Sequence, residues 1–109
     1  MPTYNKLVRD LIPQIIERNQ KAFSIRTLTD EEWITELKTK FHEEWDEYLS
    51  ASTSKEQTEE LADLLEIIFT LAQAAGTNQE ELLRIAVKKR AERGGFSQKV
   101  YLIEVTDDE

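Results

Sequence analysis

"HEEWDEYLSASTSKEQTEELADLLEIIFTLAQA", residues 42–74, joins two runs of helical periodicity through a cluster of small and hydroxyl residues. Upstream of the cluster, Ile34, Leu37, Phe41, Trp45, Tyr48 and Leu49 recur at steps that build one apolar stripe on an α-helix. Downstream, Leu61, Leu64, Leu65, Ile68, Leu71, Ala72 and Ala75 do the same. The short "SASTS" connection (50–54) makes an antiparallel hairpin of helices over 30–52 and 55–75 the natural arrangement.

The rest of the chain is punctuated for helix as well. Thr29 with Glu32, Ser54 with Gln57, and Thr77 with Glu80 are capping-box patterns that predict helix starts near 30, 55 and 78. A shorter helix is expected from Pro13, where a missing N–H costs nothing, to about Lys21. Gly76 should end the third helix and Gly94-Gly95 the fourth. Only "KVYLIEV" (99–105) alternates like a strand. The expectation is a single all-α domain over 1–109: a four-helix bundle built on an antiparallel hairpin, with a short extended C-terminal segment.

Composition narrows the chemistry. Fourteen basic residues against 22 acidic ones give a net charge of −8, which argues against a nucleic-acid backbone as partner. A nucleotide remains compatible if a cation accompanies it. The absence of cysteine removes disulfides, thiolate zinc and cysteine nucleophiles, and one histidine rules out a histidine-rich metal site. No apolar run approaches the roughly 20 residues needed to span a bilayer, and no secretory h-region opens the chain, so no membrane partner and a cytoplasmic location are expected.

The acids are the feature with chemical content. At about 100° per residue, Glu44 falls roughly 65° and Glu47 roughly 125° from the centre of their stripe. Glu60 and Asp63 fall roughly 75° and 135° from theirs, in the same rotational sense. In an antiparallel pair, equal offsets land on the same side of the seam. Glu47 is level with Glu60, and Glu44 with Asp63, about a midpoint between Thr53 and Ser54. Two readings stay open on this pattern. The acids can form a solvated face, helped by i,i+4 partners such as Lys40 with Glu44. Alternatively, four converging carboxylates need a cation to offset their repulsion, and oxygen-only ligands suit Mg²⁺ or Mn²⁺.

With these residues placed, the sequence resembles the all-α nucleoside triphosphate pyrophosphohydrolases, the MazG-like group that includes phosphoribosyl-ATP pyrophosphohydrolase. The family pattern is E-E-x-x-E, a spacer, then E-x-x-D. Here "EEWDE" supplies Glu43, Glu44 and Glu47, and "ELAD" supplies Glu60 and Asp63. The opening "YNKLVRDLIPQII" and the later "KKRAERGGF" are similar to the small single-domain branch, although Leu11 stands where that branch often has lysine. The resemblance implies hydrolysis of a nucleoside triphosphate or related nucleotide between its α- and β-phosphates, with Mg²⁺ held by Glu44, Glu47, Glu60 and Asp63. It also implies that Glu43 or Glu44 is the general base, although the helical wheel disfavours Glu43. The alternative function is a non-catalytic helical interaction module whose acids form a solvated face.

Other residues have lesser claims. Lys89 and Arg93 either complement the dipole at a helix C-terminus or, as the resemblance implies, contact phosphates. Lys6 and Arg9 could reach phosphates or pin the N-terminal arm through ion pairs. Trp45 sits at the middle of its stripe and is expected in the core. Ile67, Phe69 and Leu71 spread apolar character round the third helix, which a chain this small can hardly cover alone. A homodimer or homotetramer is expected, as in the family resembled.

Overall fold

The computed structural model describes residues 2–107 and is all-helical, with no strand among those residues. Its helices are α1 (Ile12–Arg18), α2 (Asp30–Ser50), α3 (Ser54–Ala74) and α4 (Gln79–Arg93). Helix α2 starts at the expected box: the Thr29 hydroxyl accepts from Glu32 N–H, and the Glu32 carboxylate accepts from Thr29 N–H. The other two starts each move by one residue. Thr53 caps α3 by accepting from Glu56 N–H, and Asn78 caps α4 by accepting from Glu81 N–H at 2.8 Å. The physical reason is local. Thr53 also donates to the Glu56 carboxylate, and the asparagine side chain is a stronger cap than the threonine preceding it. Helix α1 ends at Arg18, short of Lys21, because Gln20 adopts a left-handed φ of 60°.

Residues 51–53 fold α3 back along α2, and this pair is the main packed unit. A Schellman turn then reverses the chain. Gly76, at φ 89°, donates to the Gln73 carbonyl while Thr77 N–H donates to that of Ala72. Helix α4 packs on α3 and not on α2, and α1 packs on no other helix. The radius of gyration is 19.1 Å, against about 13 Å for a compact chain of this length. One protomer therefore closes little core: Leu37, Leu64, Ile67 and Ala72 are its buried apolar residues among those described.

The seam does not run along the stripe that the sequence suggests. Trp45, placed in the core by the wheel, remains 42% exposed and stacks on Tyr48 at the surface. Leu49, Leu61, Leu65 and Ile68, members of the same expected stripes, are exposed as well. The apolar arc is wider than a single neighbouring helix can cover, and α3 covers the Leu37 side of it. The extended segment 99–105 forms no ladder; Val100, Tyr101, Leu102, Ile103 and Val105 are all exposed.

Candidate active site

The rotation of the seam places Glu44 inside it and half-buries Glu60 at its edge. Glu44 lies seven residues after Leu37, and Glu60 seven before Ile67. Seven residues make nearly two whole turns, so each acid shares the face of a buried apolar residue. Glu44 is 9% exposed, the one buried charged residue among those described. Carboxylate oxygens of Glu44, Glu47 and Glu60 lie within 4.8 Å of one another. Oε2 of Glu44 and Oε2 of Glu60 are both buried with no hydrogen-bond partner.

Three carboxylates at this spacing perturb one another. The Glu44 pKa is pushed up to about 7, first by burial, then by the proton it would share with Glu47 and Glu60, and then by the charges of Glu47 and Asp63. Glu60 is also raised. Burial leads, a proton shared with Glu44 opposes it, and the Glu47 carboxyl and the charges of Glu47 and Asp63 add to it. Among the described residues the cation paired with Glu44 is Lys40, whose Nζ lies 3.9 Å from Glu44 Oε1 and 3.9 Å from Glu43 Oε2. At that range it is shared between two acids and forms no hydrogen bond.

The expected site residues divide into three groups. Glu44, Glu47 and Glu60 converge. Asp63 stands close enough to act electrostatically on Glu44 and Glu60, but its Oδ1 accepts a 2.8 Å hydrogen bond from Arg9 Nη2. Glu43 points outward and is exposed. Lys6 lies 5.9 Å from the Tyr4 ring centroid. Lys89 and Arg93 are exposed on α4 and make no ion pair among the described residues. The burial of Glu44 went unread in the sequence, although its seven-residue spacing from Leu37 carries the signal. A cleft of about 240 Å³ at the α3–α4 corner is lined by Glu66, Phe69, Thr70, Gln73, Asn78 and Gln79, so it contains none of the converging acids.

Chemically, the cluster fits a divalent cation. Its donors are all oxygen, Oε2 of Glu44 and Oε2 of Glu60 are desolvated without a hydrogen-bond partner, and Lys40, shared between Glu43 and Glu44 at 3.9 Å, offsets only part of the charge. The fold and site together define a helical-hairpin protein whose acids meet across the packing seam. The model of the phosphoribosyl-ATP pyrophosphohydrolase family matches residues 5–90, and the chain belongs to that family. Its class of chemistry is accordingly hydrolysis of a phosphoric anhydride in a nucleotide. No curated protein and no solved structure matches the chain. No helix among the described residues is long and apolar enough to cross a membrane.

Proposed function

We propose that this protein is a Mg²⁺-dependent nucleotide pyrophosphohydrolase of the cytoplasm. It would cleave between the α- and β-phosphates to give a nucleoside monophosphate and pyrophosphate, clearing unwanted nucleotides from the pool. The observation that carries this reading is the convergence of the Glu44, Glu47 and Glu60 carboxylates, with one oxygen of Glu44 and one of Glu60 buried and unpartnered. A solvated acidic face would leave its oxygens in water, so the burial of these two favours the cation site over the interaction module. Mn²⁺ suits the same oxygen donors.

Glu44, Glu47 and Glu60 would hold the cation, with Asp63 completing the set once its bond to Arg9 opens. A divalent ion bound there would supply charge neutralisation for the polyphosphate and lower the pKa of water. Of the two candidate bases, Glu44 belongs to the cluster, whereas Glu43 lies outside it beside Lys40. Lys89 and Arg93 would stabilise negative charge on the departing pyrophosphate. The exposed row of Trp45, Leu49, Leu61, Leu65 and Ile68 supports a homodimer or homotetramer in which a second copy covers this face and helps to enclose the nucleoside.

The test is a panel of ribo- and deoxyribonucleoside triphosphates assayed with Mg²⁺ in ¹⁸O-water. The expected products are pyrophosphate and a monophosphate, with label confined to the monophosphate. Label in orthophosphate, or no turnover across the panel, refutes the assignment.

A further inference from the structure

The ion pairs of the described residues are short-range with one exception. Arg26–Glu32, Lys40–Glu43, Lys40–Glu44 and Arg84–Glu81 each join residues no more than six apart. Arg9–Asp63 spans 54 positions. Helix α1 packs on no other helix, and among the described residues this is the side-chain hydrogen bond that joins the N-terminal arm to the hairpin. It ends on the acid that borders the carboxylate cluster.

A guanidinium cannot lose its charge in a protein, so at any pH it competes with whatever other cation approaches Asp63. Both partners are wet, with side chains 57% and 39% exposed, so the bond is worth only a few-fold in an equilibrium constant. A divalent ion beside Glu44, Glu47 and Glu60 would repel the guanidinium and attract the Asp63 carboxylate at once. The buried oxygens of Glu44 and Glu60 provide the stronger and fixed part of that attraction.

We infer that Arg9 is an exchangeable counter-ion: it neutralises Asp63 in the metal-free chain, leaves when the divalent cation enters, and thereby couples cation loading to release of the N-terminal arm. The inference rests on the cation-binding reading given above. Once freed, the guanidinium keeps its forked donors available for a phosphate, so one residue would serve the empty and the loaded states in turn.

Mn²⁺ binding to the full-length chain, measured by the electron paramagnetic resonance of the free ion, tests the exchange without recourse to activity. Arg9→Gln should bind Mn²⁺ about two- to five-fold more tightly than the wild type. Lys6→Gln removes the same charge from the same arm without touching Asp63 and should change affinity little. Hydrogen–deuterium exchange supplies the second readout. Amides of residues 12–18 should exchange faster on Mn²⁺ loading in the wild type, and fast without metal in Arg9→Gln. Unchanged or weaker binding by Arg9→Gln, equal tightening by Lys6→Gln, or an arm whose exchange does not rise on loading overturns the inference while leaving the cation site standing. A wild-type chain that binds no Mn²⁺ overturns both.

Discussion

Replacing Glu44 by glutamine keeps the shape of the side chain and removes the charge that the seam cannot accommodate. The folded pKa of about 7 lies above the ordinary value of 4.5. Between those values the native chain holds a proton that the unfolded chain has lost, so metal-free stability falls as pH rises through that window. Each pH unit of the window corresponds to about 1.4 kcal/mol, giving a ceiling of about 3 kcal/mol of strain at pH 7.5. Loss of the 3.9 Å contact with Lys40 offsets up to about 1 kcal/mol of that relief. The net expectation is a stabilisation of about 1–2 kcal/mol, or a rise in Tm of roughly 5–15 °C for a domain of this size. The assay is thermal melting in EDTA at pH 5 and 7.5, repeated with Mg²⁺. The wild type should melt higher at pH 5 than at pH 7.5 in EDTA, and Glu44→Gln should lose most of that difference. With Mg²⁺ the order should reverse, because the wild type gains linkage stabilisation that the variant has forfeited. A variant that melts lower than the wild type in EDTA at pH 7.5 would show that the buried carboxylate is not strained, and the reasoning would fail.

Glu47→Gln should weaken Mg²⁺ binding by more than about tenfold, the lower end of what losing even an outer-shell partner costs, with metal-free stability unchanged or raised; calorimetric titration reads the first and melting the second. Arg93→Ala should lower turnover by about tenfold or more while Mg²⁺ affinity stays at the wild-type value, so steady-state kinetics beside a binding isotherm separate a leaving-group role from a metal role. Light scattering at micromolar concentration should report a dimer or larger, and a stable monomer would count against a second copy over Trp45 and Leu65.

The helical class, the four elements and the hairpin are legible in the sequence because each rests on a local pattern. Thr29–Glu32 is a complete capping box, Gly76 is a left-handed C-cap, and the hydroxyl-rich turn leaves little freedom. The convergence of Glu44, Glu47 and Glu60 is legible because equal offsets on two arms of a hairpin are a symmetry argument, independent of which residue fills the core; Asp63, the fourth acid of that argument, is bonded to Arg9 instead. What the wheel misjudges is the rotation of the seam. It weights residues by hydrophobicity, so Trp45 and Leu49 pull the stripe toward themselves. In the fold, Leu37 and Ile67 are buried, and at seven-residue spacing Glu44 follows Leu37 into the interior while Glu60 is half-buried. Hydrophobicity alone could not announce that a charged residue belongs there. The sequence offers Arg9 as an ion pair that pins the N-terminal arm, but its partner Asp63 was out of reach, since no periodicity relates an arm to a helix 54 residues away.

The exposed C-terminal segment bears on the handling of this chain as a material. From Val100 to Val105 five of six residues are apolar, none is proline, and Glu104 is the sole charge, which is the composition of a cross-β hexapeptide. Lys99 on one flank and Asp107 on the other act with Glu104 as gatekeepers against stacking. The charges of Glu104 and Asp107 thus bear on how readily neighbouring molecules could pair along this exposed stretch.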